Sequence, residues 1–268
     1  YKRITGASLQ GVLTGKGLGY GGSLIRPEAT GYGAIYYLER MLQHFNEDVK
    51  GKTVILSGYG NVTWGAAKKP AELGAKPLTI SGSKGYVYDK DGVVTDEKID
   101  YLLVMRAKGR GNVLKEYADK FGAEYHEGEK PWGVKGDIVM PCATQNEVDL
   151  QDAETIVNNG TKYYLECSNM STTNEALAYL HKNLVVAPSK AVNAGGVAVS
   201  ALEMSQNSTR NMWSGEQVDH KLKEIMINIH DSSAAASEEY GMGYDLIAGA
   251  NIAGFTKVAD AMLEQGLV

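Results

Sequence analysis

The sequence has little cysteine, no excess of positive charge and no long apolar run, and each shortage excludes a class of protein. Its two cysteines, Cys142 and Cys167, are too few for a disulfide framework and too far apart in the sequence for a local metal-binding pair. We expect both to be small buried residues, and no metal site is predicted. The 32 Asp and Glu residues outnumber the 27 Lys and Arg residues, giving a net charge of -5. A basic surface for nucleic acid or for an anionic membrane is therefore not expected.

The apolar residues are too dispersed to indicate a membrane protein. No continuous apolar run reaches about 18 residues, so no membrane span is predicted. The first residues, 1–6, lack the apolar core of a signal peptide. We expect a cytoplasmic protein whose partners are small molecules. The length of 268 residues is enough for one large domain or two small ones.

A buried strand that leads into a glycine turn and then a helix is the clearest local pattern. Residues 53–56 form a β-branched, apolar run typical of a strand buried on both faces. Gly58 and Gly60 permit a tight turn close to a pyrophosphate, which would lie at the N-terminus of a helix starting near Asn61. The third glycine position of this dinucleotide pattern is Thr63, where Gly or Ala usually allows close helix–strand packing, so Thr63→Ala is expected to leave dinucleotide binding unchanged or to tighten it. A plain strand–turn–helix would show the same two glycines.

Strands and helices alternate along most of the chain. Strands are predicted at 53–56, 78–81, 137–140, 163–166 and 184–187, and helices at 26–46, 61–73, 95–107, 113–120, 150–158 and 173–182. Residues 85–94 are hairpin-like with Asp91-Gly92 as the turn, and the chain beyond residue 190 is predicted to be helical with breaks near 214–215 and 241–243. This order predicts an α/β fold with a doubly wound, Rossmann-like, mostly parallel sheet, helices on both faces, and long C-terminal helices.

Two prolines conflict with this layout. Pro70 lies inside the predicted helix 61–73, where it predicts a kink at a cost of about 3 kcal/mol. Pro77 precedes the strand predicted at 78–81 and predicts a late strand start, because proline has no N–H for a central strand.

Ligands of such a sheet gather beyond the carboxyl ends of its strands. The loops expected to share one crevice are 58–61, 81–84, 142–146, 168–169 and 189–196. An NAD site usually carries an acid about 20 residues beyond the glycine turn, and none is present there. Ser81 and Ser83 offer hydroxyl groups and Lys84 a positive charge, which favours NADP over NAD. A solvated turn lysine is the alternative interpretation of Lys84.

Five segments of the chain stand out, namely GGSLIRPEATGYG at 21–33, GNV at 60–62, PCATQNE at 141–147, APSKAVNAGGV at 187–197 and GANIAGF at 249–255. Together they resemble the coenzyme-binding half of hexameric bacterial glutamate dehydrogenases, in the Glu/Leu/Phe/Val dehydrogenase superfamily. They occur in the family's order and the resemblance covers nearly the whole chain. It implies oxidation of L-glutamate to 2-oxoglutarate and ammonia by hydride transfer to a nicotinamide dinucleotide.

The resemblance also implies the residues of the dinucleotide site. Thr30 and Asn61 match contacts to the cofactor, Ala143, Thr144 and Asn169 match residues around the nicotinamide and its ribose, and Asn193 matches the group that orients the carboxamide. Together with the turn at 81–84, the expected site consists of Arg26, Thr30, Gly58, Gly60, Asn61, Val62, Ser81, Ser83, Lys84, Ala143, Thr144, Asn169 and Asn193.

Thr14, Val197 and Ser200 match the walls of the pocket for the carboxylate of the substrate side chain. Asn193, Val197 and Ser200 are spaced at i, i+4 and i+7, which places them on one helix face. A helix packed through small residues is the alternative interpretation of this spacing. The hydroxyl of Ser200 favours a dicarboxylic amino acid over the apolar substrate of a related dehydrogenase. A stand-alone nucleotide-binding module without catalysis is a further alternative.

The expected domain limits are 1–25 for the end of a preceding substrate domain, 26–243 for the dinucleotide domain and 244–268 for a helix that returns to the preceding domain. The resemblance places the catalytic lysine, the acid/base aspartate, the lysines that grip the substrate and most contacts of the homohexamer in that preceding domain. No catalytic residue is therefore assigned here, and the chain alone is expected to be inactive. The final helix is expected to have an under-covered apolar face that includes Ile247, Ile252, Val258 and Met262.

Overall fold

A computed structural model describes residues 2–6, 10–108 and 112–266 and confirms the α/β fold with a mostly parallel central sheet. The helices are α1 (Lys2–Thr5), α2 (Ala29–His44), α3 (Asn61–Glu72), α4 (Asp96–Lys108), α5 (Val113–Phe121), α6 (Leu150–Asn158), α7 (Asn174–Asn183), α8 (Ser189–Val192), α9 (Gly195–Thr209), α10 (Gly215–Glu239) and α11 (Leu246–Gln265). The strands are β1 (Thr53–Leu56), β2 (Lys76–Pro77), β3 (Thr79–Gly82), β4 (Gly85–Tyr88), β5 (Glu124–Glu127), β6 (Ile138–Met140), β7 (Tyr163–Leu165) and β8 (Val185–Ala187). Short 3-10 helices lie at Gln10–Val12, Leu18–Tyr20 and Pro131–Gly133.

The central sheet is parallel throughout, with the strand order β2-β1-β6-β7-β8. Its side chains alternate between two buried clusters, with Leu56 and Met140 on one face and Ile55 and Val139 on the other. Helices α2, α9 and α10 contribute to the first cluster, and α6 and α7 to the second. The chain adds β2 on one side of β1 and β6 on the other, so the direction of winding reverses between β1 and β6. Ligand clefts form beyond the strand ends at such a reversal.

The strand predicted at 78–81 for the parallel sheet lies instead in β3, which belongs to a different sheet. Only β2 joins the parallel sheet, while β3, β4 and β5 form a separate antiparallel sheet. The side chain of Thr79 accepts a hydrogen bond from the N–H of Leu56 (2.9 Å) and donates one to its carbonyl (2.8 Å). A side chain thus replaces the strand partner of β1 beyond Pro77, which lets the main chain leave the parallel sheet.

The hairpin turn also differs from the prediction. Residues 83–84 connect β3 to β4, and Gly82 and Gly85 form the last pair of the ladder. The predicted turn, Asp91-Gly92, lies after β4 in a turn closed by a hydrogen bond from Gly92 N–H to the carbonyl of Asp89. Strand β5 was not predicted, because the polar sequence of Glu124–Glu127 lacks the apolar alternation of a half-buried strand.

The prediction of a late strand start at Pro77 is wrong, since β2 begins at Lys76. The N–H of Lys76 donates to the carbonyl of Lys52 (2.8 Å) and that of Leu78 to the carbonyl of Val54 (2.9 Å). The nitrogen of Pro77, which carries no hydrogen, therefore faces away from β1 at the open edge of the sheet, where proline is tolerated. Pro70 lies within α3 near its end, and the expected kink stays a prediction.

Close packing near the glycine turn occurs between two helices. A Cβ atom on Gly31 of α2 would lie 2.2 Å from the main-chain nitrogen of Ala66, and one on Gly65 of α3 would lie 2.5 Å from the carbonyl oxygen of Glu28. The small residue that α3 requires for close approach is therefore Gly65, two positions beyond Thr63. This contact holds the start of α2 beside the start of α3.

Helix α11 packs closely on α10 near its start. A Cβ on Gly249 would lie 1.9 Å from the carbonyl oxygen of Ser233, so the two helices are in close contact there. Farther along, Val258 and Met262 are exposed, which confirms that part of the predicted under-covered face, whereas Ile247 and Ile252 are half-buried. By length and composition alone, α11 is apolar enough to cross a membrane, with a mean hydropathy of 1.2.

Candidate functional site

Two adjoining clefts lie beyond the carboxyl ends of the parallel strands. The larger has a volume of about 1170 Å³ and lies between the loops after β6 and β7, the start of α9 and the segment before α2. The smaller has a volume of about 470 Å³ and lies between the glycine turn after β1, the β3–β4 hairpin and the segment before β6. Cys142, Ala143 and Thr144 line both clefts, so the loop after β6 forms the boundary between them.

These clefts collect all but two of the predicted site residues. The larger is lined by Thr14, Arg26, Thr30, Val62, Ala143, Thr144, Asn169, Asn193, Val197 and Ser200, and the smaller by Gly58, Gly60, Ser81, Ser83, Ala143 and Thr144. Asn61 lines a neighbouring cavity of about 180 Å³ with Pro27 and Trp64. Lys84 is exposed at the tip of the hairpin and is absent from the residues that line either cleft.

The glycine turn is fixed by two hydroxyl groups. Gly58 has a left-handed φ of 84°, and a Cβ there would lie 2.5 Å from the hydroxyl oxygen of Thr63. That hydroxyl donates to the carbonyl of Ser57 (3.1 Å), and the N–H of Gly58 donates to the hydroxyl of Ser81 (2.8 Å). Thr63 therefore holds the turn in place, and the expectation that Thr63→Ala is tolerated did not take this hydrogen bond into account. The hydroxyl of Ser81 holds the same turn through Gly58.

Helix α3 begins directly after this turn. Its N-cap residue, Gly60, provides no side-chain hydrogen bond to the first turn of the helix. The N-terminal N–H groups and the helix dipole favour an anion at this position. The start of α3 therefore suits a pyrophosphate, as the sequence pattern predicts.

Two side-chain amides meet in the larger cleft. Asn193 follows α8 and donates from Nδ2 to Oδ1 of Asn169, which follows β7, over 2.6 Å. An amide can donate and accept at the same time, so this pair leaves groups of both kinds for another amide. The arrangement agrees with the carboxamide role that the resemblance implies for Asn193.

Arg26 lies beside the residues predicted to form the substrate pocket. Its Nε donates to the hydroxyl of Ser200 (2.9 Å), and Ser200 in turn donates to the carbonyl of Gly196 (3.1 Å). The guanidinium has further N–H donors in a planar fork that matches a carboxylate. The sequence assigned Arg26 to the dinucleotide, whereas its contact in the structure is with the residue assigned to the substrate carboxylate.

A buried carboxylate holds the segment that carries Thr14. Glu203 of α9 accepts hydrogen bonds from the N–H groups of Gly15 (2.9 Å) and Lys16 (3.3 Å). It also forms an ion pair with Lys16 Nζ (2.6 Å). Burial acts to raise the pKa of Glu203, but these hydrogen bonds outweigh it and hold the pKa below its ordinary value. The segment before α2 is thereby fixed against α9 at one wall of the cleft.

Sequence reasoning missed several residues that line the clefts. Those outside the loops predicted to form the crevice are Val12, Glu129, Lys130, Pro131, Trp132, Glu147, Cys167, Ala201 and Met204. Glu147 has the clearest structural role, because it accepts hydrogen bonds from the N–H groups of Ala143 (2.9 Å) and Thr144 (3.3 Å). Burial raises its pKa despite these bonds. Its place in the PCATQNE segment is the signal that could have identified it.

The parallel sheet, its switch point and these clefts define a dinucleotide-binding α/β domain of the dehydrogenase type. The model of the Glutamate/Leucine/Phenylalanine/Valine dehydrogenase family matches residues 21–266, and the chain belongs to that family.

The relatives that it resembles carry glutamate dehydrogenase names. The chain is 62% identical over 269 residues to an NAD-specific glutamate dehydrogenase of Clostridium symbiosum, and the aligned region covers 100% of this chain and 60% of the relative. It is 52% identical to an NADP-specific glutamate dehydrogenase of a Psychrobacter species, with the same coverage of both chains. A solved glutamate dehydrogenase structure superposes with a TM-score of 0.97 at 61% identity, covering 100% of this chain and 60% of that one. The chain thus spans about 60% of the length of these relatives.

Proposed function

We propose that this chain is the dinucleotide-binding part of an NAD(P)-dependent glutamate dehydrogenase, which oxidises L-glutamate to 2-oxoglutarate and ammonia. The observation that carries the proposal is the pair of adjoining clefts at the sheet's switch point, which brings together predicted residues from well-separated parts of the chain. Membership of the family and the names of its relatives, both NAD-specific and NADP-specific, support a nicotinamide dinucleotide as the cofactor.

The residues present fit such a cofactor. The left-handed Gly58 and the uncapped start of α3 would hold the pyrophosphate, with the adenosine end in the smaller cleft. The amide pair Asn169 and Asn193 would hold the carboxamide in the larger cleft. The bound nicotinamide would supply the hydride acceptor. The loop residues Ala143 and Thr144, fixed through their N–H groups by a carboxylate, would position the ring between the two clefts.

A dicarboxylic amino acid fits the larger cleft better than an apolar one. Arg26 and Ser200 are hydrogen-bonded to each other, and together with Thr14 they give this end of the cleft a positive charge and hydroxyl donors. A charge-assisted bond to a carboxylate is roughly twice as strong as a neutral one. An apolar side chain would leave the remaining N–H donors of the Arg26 guanidinium without a carboxylate partner, which disfavours the related dehydrogenases of apolar amino acids.

Turnover is proposed to need residues that this chain does not supply. The catalytic lysine and the acid/base aspartate implied by the family resemblance have no counterpart among the residues assigned here, and the relatives are longer than this chain. Positioned acid/base groups contribute about 10²–10⁴-fold, so their absence together with lost substrate positioning would abolish measurable activity.

The test compares the 268-residue chain with a fusion to the unmatched portion of the Clostridium symbiosum relative. We expect the chain to bind a nicotinamide dinucleotide in a fluorescence titration without oxidising glutamate, and the fusion to do both. An Arg26→Gln fusion serves as a control, with turnover of glutamate reduced at unchanged dinucleotide affinity. Turnover by the chain alone would refute the proposal, and a folded fusion that binds dinucleotide without turnover would favour a stand-alone binding module.

We also propose that the chain prefers NADP to NAD. The β3–β4 turn carries no acid, Ser83 lines the smaller cleft, and Lys84 is the next residue. Glu129 also lines this cleft and opposes the preference, because a carboxylate repels a 2′-phosphate. A charge-assisted bond of about 1.5–3 kcal/mol corresponds to about 10- to 100-fold in affinity, less for a mobile exposed lysine.

The ratio of the Kd values for NADP and NAD tests this preference. Lys84→Asp is expected to shift the ratio towards NAD and Glu129→Gln to shift it towards NADP. A ratio unchanged by Lys84→Asp would exclude Lys84 as the selector, and a parent that binds NAD more tightly would refute the preference itself.

Location, assembly and domain limits complete the proposal. We propose a cytoplasmic protein that assembles as a homohexamer through its other portion, with the domain limits 1–25, 26–243 and 244–268. A Thermus thermophilus structure with 25% identity and a TM-score of 0.86 is described as a hetero-hexameric glutamate dehydrogenase. The exposed half of α11 carries Lys257, Asp260 and Glu264, which favours contact with another portion of the protein over a membrane.

A further inference from the structure

The two cysteines of the chain lie two residues beyond the ends of neighbouring strands, at the same level. Strands β6 and β7 pair Ile138 with Tyr163 and Val139 with Tyr164, and the same register places Cys142 opposite Cys167. The N–H of Cys167 donates to the carbonyl of the residue before Cys142 (3.0 Å), so the pairing extends to this level. Both side chains belong to the same buried cluster and therefore lie on the same face of the sheet.

This placement suits a covalent link between the two sulfur atoms. Paired strands lie about 4.7–4.9 Å apart, within the Cα separation of about 4.4–6.8 Å that disulfides span. Both cysteines are free, and both line the larger cleft, through which a small oxidant can reach them. Burial, and then a hydrogen bond with the Cys167 thiol, raise the pKa of Cys142, so Cys142 is a thiol at neutral pH.

A bond between them would act on the two loops that form the cleft. Cys142 immediately precedes Ala143 and Thr144, the boundary between the two clefts. Cys167 lies two residues before Asn169, whose side chain accepts from Asn193. A bond between the sulfur atoms would restrain both loops, at the place where the nicotinamide is proposed to bind.

We propose that Cys142 and Cys167 form a reversible dithiol–disulfide modification site that weakens dinucleotide binding when it is oxidised. The oxidant is of the diazene or peroxide class. With diamide, the two S–H bonds break, one S–S bond forms, and the N=N bond takes up both hydrogen atoms to give the hydrazine. A dithiol reductant reverses the reaction. The effect on binding rests on the proposed function, whereas the chemistry at sulfur does not.

The test treats the full chain with diamide and measures intact mass, free thiols in denaturant and linked peptides. We expect the loss of two hydrogen atoms, the loss of both thiols and a peptide link between Cys142 and Cys167 within one molecule. The rate should rise with pH, because the thiolate is the reacting form. Dinucleotide affinity should fall by at least about tenfold and return after dithiothreitol.

Cys142→Ser and Cys167→Ser are the matched controls, since each leaves one thiol. For each variant the affinity before and after diamide is compared within that variant, and we expect no change. Persistence of both thiols in the parent, or their conversion only to intermolecular disulfides, would overturn the site. Equal loss of affinity in a single-cysteine variant, or a disulfide that leaves affinity unchanged, would overturn the coupling to binding. Absence of dinucleotide binding in the reduced parent would instead refute the proposed function and leave the mass result intact.

Discussion

Replacing Thr63 by valine tests whether a hydroxyl group holds the glycine turn. Valine keeps the branched shape but cannot donate to the carbonyl of Ser57, which Thr63 reaches over 3.1 Å. Both residues are almost fully buried, at 2% and 1% exposure. An unpaired buried acceptor costs about 1–3 kcal/mol, so we expect Thr63→Val to lower the free energy of unfolding by that amount. Dinucleotide affinity should fall several-fold, because the turn that holds Gly58 loosens.

Thr63→Ser is the matched control, because it keeps the hydroxyl and loses only a methyl group, worth about 0.8 kcal/mol. Urea unfolding followed by circular dichroism gives the stability of each variant, and a fluorescence titration gives the dinucleotide affinity. Serine should retain most of both properties. If Thr63→Val proved as stable as the parent and bound the dinucleotide as tightly, the hydroxyl would have no role in the turn. The expectation from sequence alone, that Thr63→Ala is neutral or favourable, would then stand.

Three further predictions concern other contacts of the described residues. Asn169→Ala and Asn193→Ala should each weaken dinucleotide binding. The double variant should lose less binding free energy than the sum of the two single losses, with a coupling of about 0.5–3 kcal/mol. Strict additivity of the losses would show that the amide pair is unimportant. The stabilisation from Glu203 is present above its ordinary pKa of about 4.3 and is lost as the pH falls through its lowered folded-state pKa. The difference in urea midpoint between the parent and Glu203→Gln should therefore shrink between pH 7 and pH 3, and a constant difference would contradict the ion-pair account. Gly249→Ala should destabilise the chain, because its Cβ would lie 1.9 Å from a main-chain oxygen of α10. Gly254→Ala in the same helix is the control, since its Cβ meets no neighbour within 4 Å and the change should raise the free energy of unfolding by up to about 1 kcal/mol. Equal thermal midpoints of the two variants would refute the close helix contact.

Much of the fold could be predicted because local patterns report local environments. Strand β1 was predicted at its observed limits, Thr53–Leu56, because a strand buried on both faces needs an unbroken apolar run. The helix predicted at 150–158 was also found at those limits, Leu150–Asn158, with a capping box at Asp149. Four of the five family-like segments contribute predicted site residues to the clefts, since the carboxyl ends of parallel strands meet at one edge.

The remaining features depend on which distant groups meet, and sequence patterns carry little information about that. Nothing near Pro77 indicates that β2 is an edge strand, and this position alone makes a residue without an N–H acceptable there. The polar strand β5 exists because β4 supplies its hydrogen-bond partners, and its own sequence lacks a strand period.

The sequence by itself determined the alternating α/β architecture and the glycine turn after β1. It also carried the resemblance to the glutamate dehydrogenase family. Tertiary structure decided that Arg26 contacts Ser200, that Thr63 fixes the turn, and that the two cysteines are neighbours on adjacent strands. The physical reason is that periodicity and residue size depend on each residue's own burial, whereas these contacts depend on strand register and helix packing between segments far apart in the chain. Cys142 and Cys167 illustrate the difference, since their spacing in the sequence argued against a local metal-binding pair, whereas the register of β6 and β7 brings them together.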